Sequence, residues 1–547
     1  MESESKRIIE FIAKVTPIKI MFKLSYFQVL LIIIVIATFL RLYNLEIAPP
    51  ALNQDEAVNG VDAYTLGINL RDHHGNFLPP MLQSFNDWAS PTLTYLTVPF
   101  VKVFGLSVWS IRFANATFGI VCIPLIYGII KRLTSKTSIA LIGALIAAVT
   151  PFMISLSHWA IPPSIVPFCL LAFIFTLLKL IDSNSKQKII INSSLFSLSG
   201  IALTYSYPTM KVFVPLVLIT LALVYLFPLL KAKFYNQKVT HTGSFATFKM
   251  TSFKSFKKLI LPIIAICLFI SPIYYLTITH PDLYNARYKQ VSVTANGEGF
   301  VAGFASRYWE YLTPFFMTGR SDTNEMHHVP QFAPINELLT PFIYLGLLVA
   351  FWKSREKENP DREFYLFLVI LFFLAPIAPS LTIDHTIVTR GIQVLVLSLL
   401  FIPLSIDWLI SKISLDQRVL RSIRVVFGTV LLITTLHFSF FYFTKYSESQ
   451  KGNFQFGIQE MLSYLKANDD KFDKVEIVDI NQPYIYKLFF QPIEPGYYDT
   501  KIMGNQIGKY YFGGVNKDGL RDKKILIEWK DGFKIYEYQP RWYIATR

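Results

Sequence analysis

Apolar runs close to twenty residues long, separated by short polar stretches, set the rhythm of this sequence. Eleven are predicted to be helices, over 26–45, 108–130, 138–157, 163–181, 189–204, 212–230, 259–279, 338–352, 364–379, 391–410 and 425–443. A hydrocarbon core roughly 30 Å thick needs about twenty helical residues, so 189–204, 338–352 and 364–379 are short for it. Two long polar stretches interrupt the rhythm, at 46–107 and 280–337. Beyond Thr444 the pattern changes to an amphipathic helix near 456–467, a strand-like 474–480 and a hairpin over 524–538. Asp531-Gly532 supplies residues that a two-residue hairpin turn prefers. The fold class expected is an all-α polytopic membrane domain of about eleven transmembrane helices over 1–443, with interfacial helices in its first outer loop. A small C-terminal α+β domain is expected over 444–547.

Composition agrees with that pattern. Of 547 residues, 52% are hydrophobic and only 16% are charged, against about 25% in an ordinary soluble domain. The formal charge of +15 would suit nucleic acid, but the cations fall in short segments between apolar runs, which excludes that partner. Their distribution instead orients the chain. The segment between the sixth and seventh runs holds Lys231, Lys233, Lys238, Lys249, Lys254, Lys257 and Lys258 with no acid. Basic loops stay in the cytoplasm, so the N-terminus is expected there. The loops 46–107 and 280–337, the turn 382–390 and the tail are expected on the extracytoplasmic face. Lys6, Arg7, Lys14, Lys19 and Lys23 precede the first run and no small-residue cleavage site follows it, so an uncleaved first span is expected. Cys122, Cys169 and Cys267 lie inside apolar runs, without the spacing of a zinc site or a disulfide framework, and are expected in the core.

The outer face collects the ionisable residues that could do chemistry. Asp55 and Glu56 lie just beyond the first span. Asn53 with Glu56 reads as a capping box, and Ala57, Val61, Tyr64 and Ile68 follow at helical spacing, giving an interfacial amphipathic helix. The other reading is a general base, filled by one of the two acids because neighbouring helical residues diverge. Asp87 follows in the same loop, either as a helix cap or as a site acid. His158, Tyr205 and Lys211 lie at span ends. Arg287, Arg307, Arg320, His327 and His328 lie in the long outer loop, and Asp384, His385 and Arg390 in the later turn. Two adjacent histidines without further spaced ligands do not support a metal site, and no cofactor is required by this reading. An acid and several cations on one face suit a base activating an acceptor while cations hold a phosphate.

Arg41-Leu42 followed by Asn53-Gln54-Asp55-Glu56-Ala57 resembles the first outer loop of the GT-C glycosyltransferases, within the protein O-mannosyltransferase and aminoarabinose-transferase superfamily. Arg112-Phe113-Ala114-Asn115-Ala116, Thr204-Tyr205-Ser206-Tyr207-Pro208 and His385 to Gly391 extend the resemblance, as does Tyr311 to Phe316 continued through Gly319-Arg320 to His327-His328. The sequence departs at Ser157-His158, where many relatives have Ser-Arg. The resemblance implies transfer of a sugar, with inversion, from a polyprenyl-phosphate carrier to a hydroxyl of a protein, glycan or lipid. It implies Asp55 as the catalytic residue. Glu56, Asp87, His158, Tyr205, Lys211, Arg320, His327, His328, His385 and Arg390 are the expected substrate contacts, with His385 and Arg390 on the phosphate. Two other functions fit a charged outer face: a flippase for lipid-linked sugars, and a non-catalytic scaffold whose tail binds a partner.

Overall fold

The computed structural model describes residues 24–547 except 86, 236–242, 285, 296, 320–321, 323, 385–386, 414–415, 494–504, 514–519, 521 and 530–531. All eleven apolar runs are helical. They are α1 (Tyr26–Leu42), then, beyond the first outer loop, α4 (Val108–Thr134), α5 (Thr137–Val149) continued by α6 (Pro151–His158), α7 (Val166–Ile181), α8 (Lys186–Thr204), α9 (Met210–Tyr235), α10 (Gly243–Thr279), α12 (Thr340–Arg355), α13 (Arg362–Leu374), α14 (Ile392–Lys412) and α15 (Gln417–Phe441). Among the described residues, seven spans are long and apolar enough to cross a bilayer, or eight with the bent α5–α6 pair; α1 and the first part of α9 are shorter apolar helices. The lysine-rich segment expected as a loop is mostly helical backbone, because α9 runs to Tyr235 and α10 starts at Gly243.

The third predicted span is two helices meeting at 52°. Pro151 cannot donate to the helix before it, so α5 ends at Val149 with carbonyls left for other donors. Arg41, fully buried in the last turn of α1, donates to the carbonyls of Ala148 (2.9 Å) and Ala147 (3.2 Å). A cation at a helix C-terminus also meets the negative end of its dipole. The end of α6 is closed in turn by Asn115, whose Nδ2 donates to the carbonyls of Leu156, Ser157 and Trp159 at 2.7, 3.1 and 3.2 Å. At the opposite end of the bundle, Arg132 pairs with Asp182 at 2.7 Å and Asp361 at 2.8 Å, joining α4, α7 and the start of α13.

The loop after α1, expected on the outer side, folds into α2 (Gln54–Asn69), the hairpin β1 (Leu82–Ser84) and β2 (Asp87–Ala89), and α3 (Thr92–Phe104). A pair of wholly buried side chains, Asp62 and His73, fastens the segment after α2 back onto it, Oδ1 to Nδ1 at 2.6 Å. The apolar face of α2 does not lie on lipid, contrary to the interfacial reading. Ala57, Val58 and Val61 are buried in one cluster with the tail, and only Ile68, at 55% exposure, fits an interfacial position.

The tail forms α16 (Ile458–Ala467), β3 (Lys474–Ile477), α17 (Pro483–Phe490), β4 (Gln506–Ile507), β5 (Tyr510–Phe512), β6 (Lys524–Glu528), β7 (Lys534–Gln539) and β8 (Trp542–Thr546). The sheet order is β4-β5-β3-β8-β7-β6, with β3 parallel to both its neighbours. The expected strand and hairpin are present; Asp531 of the expected turn lies outside the described residues, and Gly532 has φ +90°. The α17 helix has no counterpart among the expected elements, and it is the one that meets α2. Gly60 on α2 leaves no room for a Cβ, which would fall 2.5 Å from the ring of Phe489.

Cys122 and Cys169 are buried in the bundle, but Cys267 is exposed on α10, which corrects its expected place in the core. The α12 and α14 helices meet backbone to backbone, and a Cβ on Gly346 would sit 1.9 Å from the carbonyl oxygen of Phe401. A backbone atom cannot swing aside, so Gly346→Ala is expected to cost about 1–3 kcal/mol. The check is a lowered thermal unfolding midpoint in detergent with no loss of membrane insertion.

Candidate active site

The site begins at the start of α2. Asn53 caps the helix: its side-chain oxygen accepts from Asp55 N at 2.9 Å, and Glu56 Oε2 accepts from Asn53 N at 3.1 Å. Glu56 does more than cap. It is fully buried, and Arg112 of α4 grips it with two bonds, Nε to Oε1 and Nη2 to Oε2, both 2.8 Å. The backbone N of Ala160 donates to Oε1 at 3.0 Å. The other guanidinium hydrogens go to the carbonyls of Leu45, Pro49 and Ala51 at 2.8, 2.9 and 2.5 Å. An arginine has five N–H donors, and here all five are used. Both oxygens of Glu56 are therefore committed to the protein. The expectation that Glu56 contacts substrate is corrected: it is a brace.

Asp55 points the other way. It is exposed at the surface of α2, about 100° round the helix from Glu56. Its charge acts on two phenols, Tyr207 in the α8–α9 turn and Tyr486 on α17. Burial raises the pKa of both. At Tyr207 the nearby Arg390 guanidinium and the Thr389 side chain pull in the opposite direction. Acid, phenol and cation thus come together from three separate parts of the chain.

Arg390 is held from several sides. Its Nη1 pairs with Asp384 Oδ2 at 2.6 Å. The turn that carries it is fixed by Asp322, which accepts from Val388 N at 2.8 Å, and by Tyr311, whose hydroxyl accepts from Ile387 N at 3.1 Å. Gly391 is needed for this fit, since a Cβ there would lie 2.4 Å from the Tyr311 ring and 2.6 Å from Phe316. Burial opposes ionisation of Asp322, but His327 and the backbone amides of Val388 and Asn324 outweigh it, so its pKa lies below the usual carboxylate range. His327 and His328 line a narrow cleft with Trp159, Ser155 and Tyr442.

The remaining expected contacts fall elsewhere. His158 is fully buried, with Nδ1 3.0 Å from the carbonyl of Ile154 and Nε2 3.2 Å from that of Tyr43. It ties α6 to the end of α1 and faces no open space, which corrects its assignment as a substrate contact. Tyr205 is likewise turned away, donating to the carbonyl of Phe269 on α10 at 3.0 Å. Asp87 does not cap α3, whose N-cap is Pro91. It accepts from Trp88 N at 2.7 Å, and its charge is felt at Lys211, whose Nζ lies 3.8 Å from Met81 Sδ. Arg320 and His385 lie outside the described residues. Among those described, no group of three or more His, Cys, Asp or Glu is placed to hold a metal ion.

Residues 31–278 match the family profile described as dolichyl-phosphate-mannose-protein mannosyltransferase. The fold is similar to that of ArnT from Cupriavidus metallidurans in the apo state, with a TM-score of 0.52 at 12% identity over 85% of each chain. The profile match spans less than half of the chain, and the structural match shows a shared fold. ArnT of the same organism bound to undecaprenyl phosphate gives a TM-score of 0.52 at 11% identity, over 85% of this chain and 84% of that one. The oligosaccharyltransferase of Archaeoglobus fulgidus is also similar, at 14% identity and a TM-score of 0.45, over 89% of this chain and 59% of that one. No curated protein sequence matches the chain.

Removing one partner of a buried ion pair leaves the other charge stranded, at a cost of about 3–5 kcal/mol. Arg112→Met is therefore expected to destabilise the protein by that amount, and Glu56→Met combined with Arg112→Met by much less. Thermal unfolding of the purified single and double variants measures the difference.

Proposed function

We propose that this chain is a membrane glycosyltransferase of the GT-C kind in which Asp55 is the catalytic base and Arg390 holds the phosphate of a polyprenyl-phosphate-linked sugar. The observation that carries the reading is the division of labour at the start of α2. Glu56 is locked to Arg112 inside the protein, and the adjacent Asp55 stands at the surface within electrostatic reach of Tyr207 beside Arg390.

The chemistry follows from those positions. Asp55 takes the proton from an acceptor hydroxyl as its oxygen attacks the anomeric carbon. The new carbon–oxygen bond forms on the face opposite the bond to phosphate, which breaks, so the configuration inverts. The electron pair leaves with the polyprenyl phosphate, and Arg390 meets the charge that develops there. Tyr207, a phenol that burial moves further from ionising, adds a hydrogen-bond donor next to that guanidinium. A phosphate so held is a good leaving group, and no second carboxylic acid is needed. The lysine distribution supports an extracytoplasmic site, with an acceptor hydroxyl on a protein, glycan or lipid.

Positioned proton transfer contributes about 10²–10⁴ in rate. Asp55→Asn is expected to lower transfer from a polyprenyl-phosphate sugar by about 10³ while the purified protein still binds undecaprenyl phosphate. Arg390→Gln is expected to weaken that binding by about tenfold, the loss of one hydrogen bond to a charged group. Turnover retained in the Asp55→Asn protein removes Asp55 from the mechanism.

A further inference from the structure

In the long outer loop runs α11 (Phe300–Leu312), a helix the transfer mechanism does not use. One face of it is strongly apolar and bare. Val301 is 77% exposed, Trp309 69% and Phe300 49%. Phe300, Phe304 and Tyr308, four residues apart, stack along it with ring centroids 6.1 and 5.8 Å apart. A surface like this in water is costly, and its location accounts for it. The Tyr308 hydroxyl donates to the carbonyl of Phe373 at 2.8 Å, in the last turn of α13 and seven residues before its apolar span ends at Ser380, where Phe373 itself is 43% exposed. The bare face thus adjoins exposed apolar surface in the second half of a span, near the boundary where Trp and Tyr concentrate.

The face turned away from Val301 and Trp309 carries Arg307, 3% exposed. Its Nη2 donates to the carbonyl of Ile383 at 2.6 Å and to Glu298 at 2.8 Å. Nε donates to the carbonyls of Ile383 (3.1 Å) and Asp384 (3.3 Å), and Nη1 to that of Gly303 (2.9 Å). Asp384 is the ion-pair partner of Arg390. Just before the helix, Val293 N donates to Leu381 O at 3.0 Å and Val291 O accepts from Ile383 N at 2.7 Å, so the segment grips the same turn twice. Gly303 permits the approach, since a Cβ there would lie 2.8 Å from Arg307 Nη1.

We propose that α11 lies in the membrane–water interface, with the face that bears Val301 and Trp309 on lipid, and that through Arg307 it holds the turn that carries Arg390. The partner of this surface is the bilayer boundary, where a helix with one apolar aromatic face settles. Neither the lipid contact nor the grip on the turn depends on the transfer reading.

The test uses the full chain in liposomes of phosphatidylethanolamine and phosphatidylglycerol. Cys267→Ser removes the exposed native thiol, and a nitroxide is placed at Val301→Cys, with Gln539→Cys on the tail domain as the reference for water. Collisions with dissolved oxygen are expected to exceed those with a water-soluble nickel chelate at 301, and the reverse at 539. Nickel access at 301 equal to that at 539, or shielding from both reagents by a second copy or another protein, overturns the lipid contact. For the grip, Arg307→Gln is expected to speed hydrogen exchange at Ile383 and at residues 387–391 by about tenfold, a local opening made easier. Arg307→Lys, which keeps the charge but loses the planar fork, carries the same test where the glutamine variant does not fold. Unchanged exchange overturns the coupling, and neither arm requires transferase activity.

Discussion

Everything at the site depends on the buried pair between Glu56 and Arg112. Two opposite charges without solvent are stable only where every remaining donor and acceptor is satisfied, and here the loop supplies the satisfaction. Three carbonyls between Leu45 and Ala51 converge on the guanidinium, and the Asn53 and Ala160 amides converge on the carboxylate. One side chain on α4 thereby folds the segment between the first span and α2. The same bonds fix the rotation of α2 about its axis, and rotation decides which of two adjacent acids faces outward.

That arrangement would drift if the helices beneath it were free to move. The broken α5–α6 span is the weak point of the bundle, and each of its two helices is capped at its C-terminal end by a polar side chain from a neighbouring span. Arg41 closes α5 and Asn115 closes α6. Asn115 lies one turn beyond Arg112 on α4, so the residue that closes α6 and the residue that organises the loop share one rigid helix. The bend has a further consequence. It places Trp159 and Ala160 next to the loop, so that the Ala160 amide reaches Glu56 and the Trp159 ring stacks on His327 at 6.2 Å.

Much of this is legible in the sequence, and the same physics shows why the rest is not. Spans are legible because a run of twenty apolar residues has few favourable environments outside a bilayer, and the capping box at Asn53 because caps are local. The direction a side chain takes is not local. His158 reads as a charge at a span end, yet two backbone carbonyls enclose it, one of them from Tyr43 at the end of α1. Tyr205 and Tyr207 are two residues apart in one turn; the first reaches α10 and the second the Arg390 turn. No periodicity separates them, because a turn has none. Arg112 opens the Arg112-Phe113-Ala114-Asn115-Ala116 stretch, but a buried arginine and a surface one read alike until the acid fifty-six residues away is brought to it. Tyr486 leaves no trace at all, since its relevance comes only from the docking of the tail.

That docking changes what the tail is for. A domain tethered to the last span could keep a core of its own, yet one continuous apolar cluster contains Ala57, Val58 and Val61 of α2 together with Ile477, Tyr486 and Phe489. The apolar face of the helix that presents Asp55 is thus completed by the tail, and Gly60 is the position that lets the two backbones close up. The α2 helix is consequently held from two sides. Arg112 fixes its first turn from below, and α17 covers its apolar side. An exposed carboxylate on a surface helix would ordinarily swing with its helix. Here the helix is clamped between bundle and tail, so Asp55 keeps its exposed position within electrostatic reach of Tyr207, which Arg390 also influences.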